Sequence, residues 1–213
     1  LIQYNFSGSN GFFATISLED DNRNQVTGLV NDNNYVPDVV LKAGVNQAWG
    51  AAWAAIGYDE DRTNANSLAY IPYAIGLGVP LATAERQLRD SGWAAQAGVH
   101  LNVPSAPGSS FRLIGFYADS DNAYNGHGGQ WSILASYWHQ FNTQFGASLG
   151  VQYIDNLYAG GTDIKTGLDA WAVELNTVWE PVQNFQVRTE TVYQKADDLD
   201  GTWSGFVRFS RFF

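Results

Sequence analysis

The sequence predicts an all-β protein, a transmembrane antiparallel β-barrel of which about 11 strands are visible, and three observations support this. Apolar and polar residues alternate in segment after segment, which is the period-two pattern of strands with two different faces. Short and long connections alternate between these segments. Aromatic residues stand near both ends of the apolar faces, as they do in barrels that cross a membrane.

The composition of the 213 residues agrees with this fold class. Charged residues make up only 15% of the chain, whereas ordinary soluble domains contain roughly 25%. Mean hydropathy is −0.22, a polar average that suits a barrel because lumen-facing and lipid-facing residues alternate. The net charge of −10 argues against a nucleic-acid partner, which would require a basic surface. Because the chain has no Cys, it contains neither disulfides nor thiolate metal sites.

Each of eleven alternating segments predicts one strand. Their lengths are mostly close to the roughly 9–11 residues of a strand that crosses a bilayer at a tilt. In chain order the segments are 1–6, 11–20, 37–45, 48–59, 92–103, 110–119, 130–141, 144–156, 169–180, 184–195 and 202–213.

The connections between these segments are of two kinds that alternate along the chain. The short ones, such as 46–47 and 142–143, carry no charge, while the long ones include 21–36 and 60–91. Tight turns at one rim and long loops at the other are typical of an outer-membrane barrel, and a soluble sandwich has little reason to show them. Acidic residues concentrate on the long side, at Asp59, Glu60, Asp61, Asp119, Asp121, Asp197, Asp198 and Asp200.

Aromatic residues on the apolar faces predict anchors at two membrane interfaces. Trp171 and Trp179 lie eight residues apart on one face, which at ~3.3 Å per residue and a tilt near 40° gives a height of about 20 Å. That height is close to the apolar band of about 25 Å between the aromatic girdles of such barrels. We therefore expect a lipid bilayer around the protein, which in an outer membrane includes lipopolysaccharide. The predicted membrane-interface aromatics are Trp93, Trp131, Trp171, Trp179, Trp203 and Phe213.

Several stretches resemble the alphaproteobacterial general porins, the Brucella-type outer-membrane porin family. They are Tyr4-Asn5-Phe6 through Gly11-Phe12 to Leu18, Pro37-Asp38-Val39-Val40 with Ala48-Trp49-Gly50, Gly129-Gln130-Trp131, and Trp203-Ser204-Gly205-Phe206-Val207-Arg208-Phe209 with the terminal Phe213. The resemblance covers nearly the whole chain except residues 63–88. It implies a 16-stranded barrel, a homotrimer, passive diffusion of ions and small hydrophilic solutes, and recognition of Phe213 by the barrel-assembly machinery.

Members of that family are considerably longer than this chain. An up-and-down barrel also takes an even number of strands, whereas eleven segments are visible. We therefore expect residues 1–213 to be one barrel domain that corresponds to the C-terminal portion of a porin, with 60–91 as a long extracellular loop insertion. A smaller barrel that closes with one further strand is the alternative.

Charged residues on the predicted lumen faces are the candidate pore-lining residues, because charges at close quarters set ion selectivity in pores. Arg188 and Arg208 fall on neighbouring segments at similar depth, so they can form a basic wall. Ion pairs with Glu174 or Glu190 that stiffen the barrel are an equally open interpretation. The candidates are Lys42, Arg112, Glu174, Arg188, Glu190 and Arg208.

The sequence predicts no catalytic residues, no cofactor and no metal site. Glu174 and Glu190 could be read as a carboxylate pair, but nothing around them fixes a substrate. His100, His127 and His139 lack the spacing of metal ligands. Two alternatives to a channel stay open, namely an outer-membrane barrel enzyme of the lipase or protease type, and a soluble β-sandwich binding module with buried Trp and Tyr.

Overall fold

The computed structural model describes residues 1–19, 36–60, 91–159 and 163–212. These residues form eleven strands in a single sheet, which confirms the predicted all-β class and the strand count. The strands are β1 (Ile2–Ser7), β2 (Phe12–Glu19), β3 (Asp38–Gln47), β4 (Gly50–Asp59), β5 (Gly92–Asn102), β6 (Ser110–Ala118), β7 (Gly129–Gln140), β8 (Phe145–Leu157), β9 (Ala170–Val182), β10 (Phe185–Ala196) and β11 (Thr202–Arg211). In the described ranges, no helix has the length and hydropathy needed to span a membrane.

The sheet is an antiparallel meander in which every strand pairs with its neighbours in the chain. All the short connections therefore lie at one end of the sheet, which we call the short-turn rim, and all the long ones at the other, the long-loop rim. Asn10 and Asn184 take positive φ angles of 59° and 64° in two of the short turns, a conformation that Asn tolerates better than most residues. Within the described residues, β1 and β11 are each paired on one side only.

Register gives the sheet two chemically different faces. One row of cross-strand partners, from β2 to β7, consists of Ile16, Leu41, Ile56, Ala95, Tyr117 and Trp131. The adjacent row on the opposite face consists of Thr15, Lys42, Ala55, Gln96, Phe116 and Ser132. We call the face with the first row the apolar face and the face with the second row the polar face. Because side chains alternate along each strand, these two rows and the pairing of the remaining strands assign the other strand residues to a face, up to a bulge near the end of β9.

Strand β9 is longer than the sequence predicts. The predicted segment ends at Glu180, since Pro181 cannot donate to a sheet ladder, yet the strand continues to Val182. The pairing with β10 shifts register between Phe185 and Val187. A bulge of this kind places Pro181 where no ladder N–H is required, so the proline is accommodated rather than ending the strand.

Aromatic rings on the polar face pack against glycines of neighbouring strands. Phe13 lies directly opposite Gly44, and Trp53 lies directly opposite Gly98. A Cβ atom added at residue 98 would lie 2.6 Å from Cζ2 of Trp53. The Trp53 ring therefore occupies the space that a side chain at residue 98 would fill, and such close contact is one reason why glycine occurs inside a strand.

Replacing Gly98 by Ala should therefore destabilise the protein. The added methyl group forces the Trp53 ring away, at an overpacking cost of about 1–3 kcal/mol. Gly150→Ala is the matched control on the same face, because a Cβ at residue 150 meets its nearest neighbour, Cβ of Ser136, at an ordinary 3.7 Å. Thermal unfolding of the folded full-length protein in detergent measures both, and equal midpoints for the two variants would contradict the packing account.

Candidate functional site

The apolar face exposes large side chains from one edge of the sheet to the other. Ile16, Ile133, Val151 and Leu175, from four different strands, are each at least 44% exposed. Soluble monomers rarely expose contiguous apolar patches of more than a few hundred Å². A face this continuous is therefore suited to hydrocarbon rather than to water.

Aromatic pairs form a band along each rim on the apolar face. At the long-loop rim, Trp93 lies 4.6 Å from Tyr58, Trp131 lies 4.5 Å from Tyr117, and Tyr193 contacts both Trp171 and Trp203, all between ring centroids. At the short-turn rim, Phe6 pairs with Phe12, Phe141 with Phe145, and Phe185 with Phe209. Trp179 belongs to this second band, since its register partner is Phe145. The two bands have the arrangement of the girdles that flank the apolar belt of membrane barrels.

Five of the six predicted interface aromatics lie on this face, namely Trp93, Trp131, Trp171, Trp179 and Trp203, and Phe213 lies outside the described residues. Each of the five is at least 40% exposed. The β-sandwich alternative requires these rings to be buried, so their exposure argues against it. Their position at a membrane interface remains a prediction.

All six candidate pore-lining residues lie on the polar face. Lys42 is opposite Thr15 and Ala55, and Arg112 is opposite His100 and Ser136. On the last three strands, Glu174 is opposite Gly150, Glu190 is opposite Asn176, and Arg188 is opposite Arg208. The structure thus gathers these residues on one surface, while their contact with a pore remains a prediction.

Arg188 and Arg208 form a like-charged pair directly across two strands. Such pairs are unfavourable unless solvent or another group screens them. The Arg188 Nε atom donates to Oδ1 of Asn176 at 3.2 Å. Among the described residues, no ion pair joins either arginine to Glu174 or Glu190. The geometry therefore favours the basic-wall interpretation over wall ion pairs.

Charge on the polar face is segregated along the strands. Arg112, Arg188 and Arg208 lie in the half of the sheet next to the short-turn rim. Glu19, Asp38 and Asp59 lie at the ends of β2, β3 and β4 on the long-loop rim, and Glu19 is directly opposite Asp38. A solute that moves along this face would therefore meet three acidic groups at the long-loop rim and three arginines towards the short-turn rim, where Glu180 accepts a hydrogen bond from Gln186.

Residues 119–128, which connect β6 to β7, lie against the polar face at the long-loop rim. Their anchor is Tyr124, whose hydroxyl donates to Oδ2 of Asp38 at 3.2 Å. Burial, followed by the negative charges of Asp38 and Glu19, raises the pKa of Tyr124 above its ordinary value, so the hydroxyl stays protonated as a donor. Sequence reasoning missed this residue, because no local pattern indicates a contact between positions 86 residues apart.

Two further titratable groups outside the strands, His127 and Asp169, have pKa values that their surroundings lower. Burial against the ring of Phe116 lowers the pKa of His127, which favours the neutral imidazole. The hydroxyl of Tyr153 donates to Asp169 at 2.5 Å, and this bond, with the backbone N–H of Asn156, lowers the pKa of that carboxyl. The two hydrogen bonds to Asp169 connect the end of β8 to the start of β9 at the long-loop rim.

The described residues do not assemble a catalytic constellation from the histidines. His100 lies opposite Arg112 on the polar face, His127 lies in the 119–128 connection, and His139 contacts the Tyr137 hydroxyl at 3.0 Å on the apolar face. They are on different elements and do not converge. Likewise, no group of three or more His, Asp or Glu in these ranges has a metal-binding arrangement.

An open depression of about 1390 Å³ lies on the apolar side of the sheet and extends from β1 to β8. Small side chains such as Ala43, Ala54 and Ala97 form its floor, and Tyr4 and Tyr153 are among its lining residues. Most of its lining residues belong to the apolar face, and residues of the polar row, such as Lys42 and Gln96, also line it.

Comparison with known proteins places the chain among porins. The family model described as the porin subfamily matches residues 1–206. Porin Omp2b of Brucella canis is 27% identical over 229 residues, an alignment that covers 100% of this chain and 51% of the relative. Porin Omp2b of Brucella suis is 28% identical over 228 residues, with 100% and 53% covered. The chain thus spans about half the length of the curated relatives it matches.

Two solved structures share the fold. The outer membrane channel DcaP of Acinetobacter baumannii superposes with a TM-score of 0.67 at 15% identity, covering 99% of this chain and 61% of that one. OmpT, an outer membrane protein of Vibrio cholerae in its trimer form, gives a TM-score of 0.55 at 12% identity, covering 91% and 53%.

A charge on the apolar face should be far more costly than a charge on the polar face. Val151→Arg, in the middle of β8, should lower the free energy of unfolding by about 2–4 kcal/mol, the cost of an arginine facing lipid at the bilayer midplane. The neighbouring Gly150→Arg is the control, because residue 150 points to the polar face beside Glu174. Urea unfolding of the full-length protein in lipid vesicles measures both, and an equal or larger loss at residue 150 would reverse the assignment of the faces.

Proposed function

We propose, because this chain belongs to the porin subfamily, that it forms part of the wall of a water-filled channel in a bacterial outer membrane. Ions and small hydrophilic solutes would diffuse through this channel down their gradients. The observation that supports this most is the separation of the two faces of the sheet, with the six candidate charged residues on one side and large exposed apolar residues on the other. Charged side chains are costly to bury in a dry core, whereas a water-filled lumen hydrates them.

The channel would belong to the whole protein rather than to these residues alone. The two edge strands are paired on one side only in the described structure, and unpaired strand edges are not stable within a bilayer. We propose that further strands pair these edges and close the barrel, in line with the greater length of the curated relatives. The 16 strands, the homotrimer, the contact with lipopolysaccharide and the reading of Phe213 by the assembly machinery are proposed from the family resemblance.

Transport would involve no chemical step. The acidic groups at the long-loop rim would attract cations, while the basic wall at Arg188 and Arg208 would favour anions deeper in the channel. The dispersed histidines support a channel over the enzyme alternative, which requires catalytic residues that converge at one rim. We infer that the protein has no enzymatic activity.

Planar-bilayer recording tests the proposal directly. Purified full-length protein should produce stepwise conductance increases in a salt solution, and vesicles that contain it should swell in small sugars. A denatured sample of the same protein serves as the control. A correctly folded protein that inserts into the membrane but shows neither conductance nor swelling would overturn the proposal.

Removing the basic wall should shift selectivity towards cations. Two unit charges about 8 Å from a permeating ion contribute roughly 1 kcal/mol together in water, and their removal favours a cation and disfavours an anion by that amount each. Salt screening over about one Debye length reduces this difference of about 2 kcal/mol to roughly 0.8 kcal/mol, so the cation-to-anion permeability ratio of Arg188→Gln/Arg208→Gln should rise on the order of fourfold. The reversal potential in a salt gradient measures this ratio. Arg211→Gln, which removes a charge at the end of β11 on the apolar side, is the control and should leave the ratio unchanged.

A further inference from the structure

We propose that residues 119–128 are a built-in constriction at the channel entrance, held across the polar face by Tyr124, and that they limit the size of the solutes admitted. The proposal rests on the proposed function, because it requires the polar face to be the lumen wall. It assigns a positioning role to Tyr124 and a size-limiting role to the connection between β6 and β7, neither of which follows from the strand pattern.

Tyr124 extends from the connection between β6 and β7, across β5 and β4, to the ends of β3 and β2. Its hydroxyl bonds Asp38 of β3 and lies 3.5 Å from Oε2 of Glu19 on β2, although the segment starts from β6. Its ring lies on Gly57 of β4, where an added Cβ would come within 2.9 Å of two ring carbons. Because Gly57 alternates with Tyr58, whose partner is Trp93, the ring must be on the polar face.

A second set of contacts fixes the same segment to β4 and β5. The backbone N–H of Ala123 donates to Oδ2 of Asp59 at 2.7 Å. The amide of Asn122 donates to the carbonyl of Trp93 at 3.1 Å, and its Oδ1 accepts the N–H of Tyr124 at 3.0 Å. Ser120 packs so closely on Gly92 that a Cβ there would overlap its Oγ. Ser120 and Asn122 are each 4% exposed, so this is a packed layer and not a loose loop.

Both ends of the segment are also held by the next long connection. The hydroxyl of Tyr158 donates to the carbonyl of Ala118 at 2.9 Å, and the N–H of Tyr158 donates to the carbonyl of Gly128 at 2.9 Å. The ring of His127 packs on Phe116, again on the polar face. The segment therefore stands on the wall as a fixed ledge, which we call the rim ledge, residues 119–128.

The rim ledge narrows the entrance because it adds a second layer to one wall. Layers that pack face to face are separated by about 10 Å, a large share of the width of a pore for small solutes. Asp38 and Asp59 accept hydrogen bonds from the ledge and so act mainly as its anchors. Loosening the ledge should therefore change the size limit more than the charge preference.

The first test is Tyr124→Ala in the full-length protein, reconstituted in vesicles. We expect swelling rates for the largest admitted sugars to rise more than those for the smallest, with little change in reversal potential. Tyr137→Ala, which removes an exposed ring from the apolar face, is the control and should leave the ratio of swelling rates unchanged. An unaltered ratio in a folded, conducting Tyr124→Ala channel would overturn the proposal.

The second test adds bulk to an intact ledge and does not depend on how well Tyr124→Ala folds. The chain contains no Cys, and a Cβ at Gly126 meets nothing within 4 Å. A bulky hydrophilic thiol reagent on Gly126→Cys should lower the conductance of the open channel, whereas the same treatment of Ser105→Cys, exposed in the short connection between β5 and β6 at the opposite rim, should not. Equal currents in the two labelled proteins would overturn the constriction. A parent protein that fails to conduct at all would instead overturn the proposed function.

Discussion

Strand register is the constraint on which the rest of this structure depends. A slip of one residue between two strands would carry every side chain of the slipped strand to the opposite face. The row from Ile16 to Trp131 keeps apolar residues together across six strands, and the row from Thr15 to Ser132 does the same for a polar surface. Register is therefore what allows the same strand to contact lipid on one side and water on the other.

The two rims differ in the length of their connections and in the charges near them. At the short-turn rim the connections are brief, and arginines lie near this rim on the polar face, with Arg188 and Arg208 directly opposite each other. At the long-loop rim, carboxylates such as Asp38 and Asp59 hold a packed segment against the wall. Glycines serve both regions, because Gly57 leaves room for Tyr124 and Gly98 leaves room for Trp53.

Much of the fold and part of the candidate site follow from the sequence. Alternation alone predicts the eleven strands and the shared face of Lys42, Arg112 and the other candidates, and it predicts that Arg188 and Arg208 lie at similar depth. Alternation and proline rules predict the end of β9 wrongly, because a bulge accommodates Pro181 and the strand continues past it. Alternation also cannot predict Tyr124, whose partners lie far away in sequence. The 61–90 region and Phe213 lie outside the described residues.

The central claim, that the apolar face meets lipid and the polar face meets water, is tested most directly by a spin-label scan along β8 in the reconstituted full-length protein. Labels at residues 147, 149, 151 and 153 should be accessible to oxygen dissolved in the bilayer, and labels at 148, 150 and 152 to a water-soluble nickel complex. The account predicts that accessibility to oxygen and accessibility to the nickel complex both alternate with a period of two residues and are opposite in phase. Oscillations in phase with each other, or none, would contradict it.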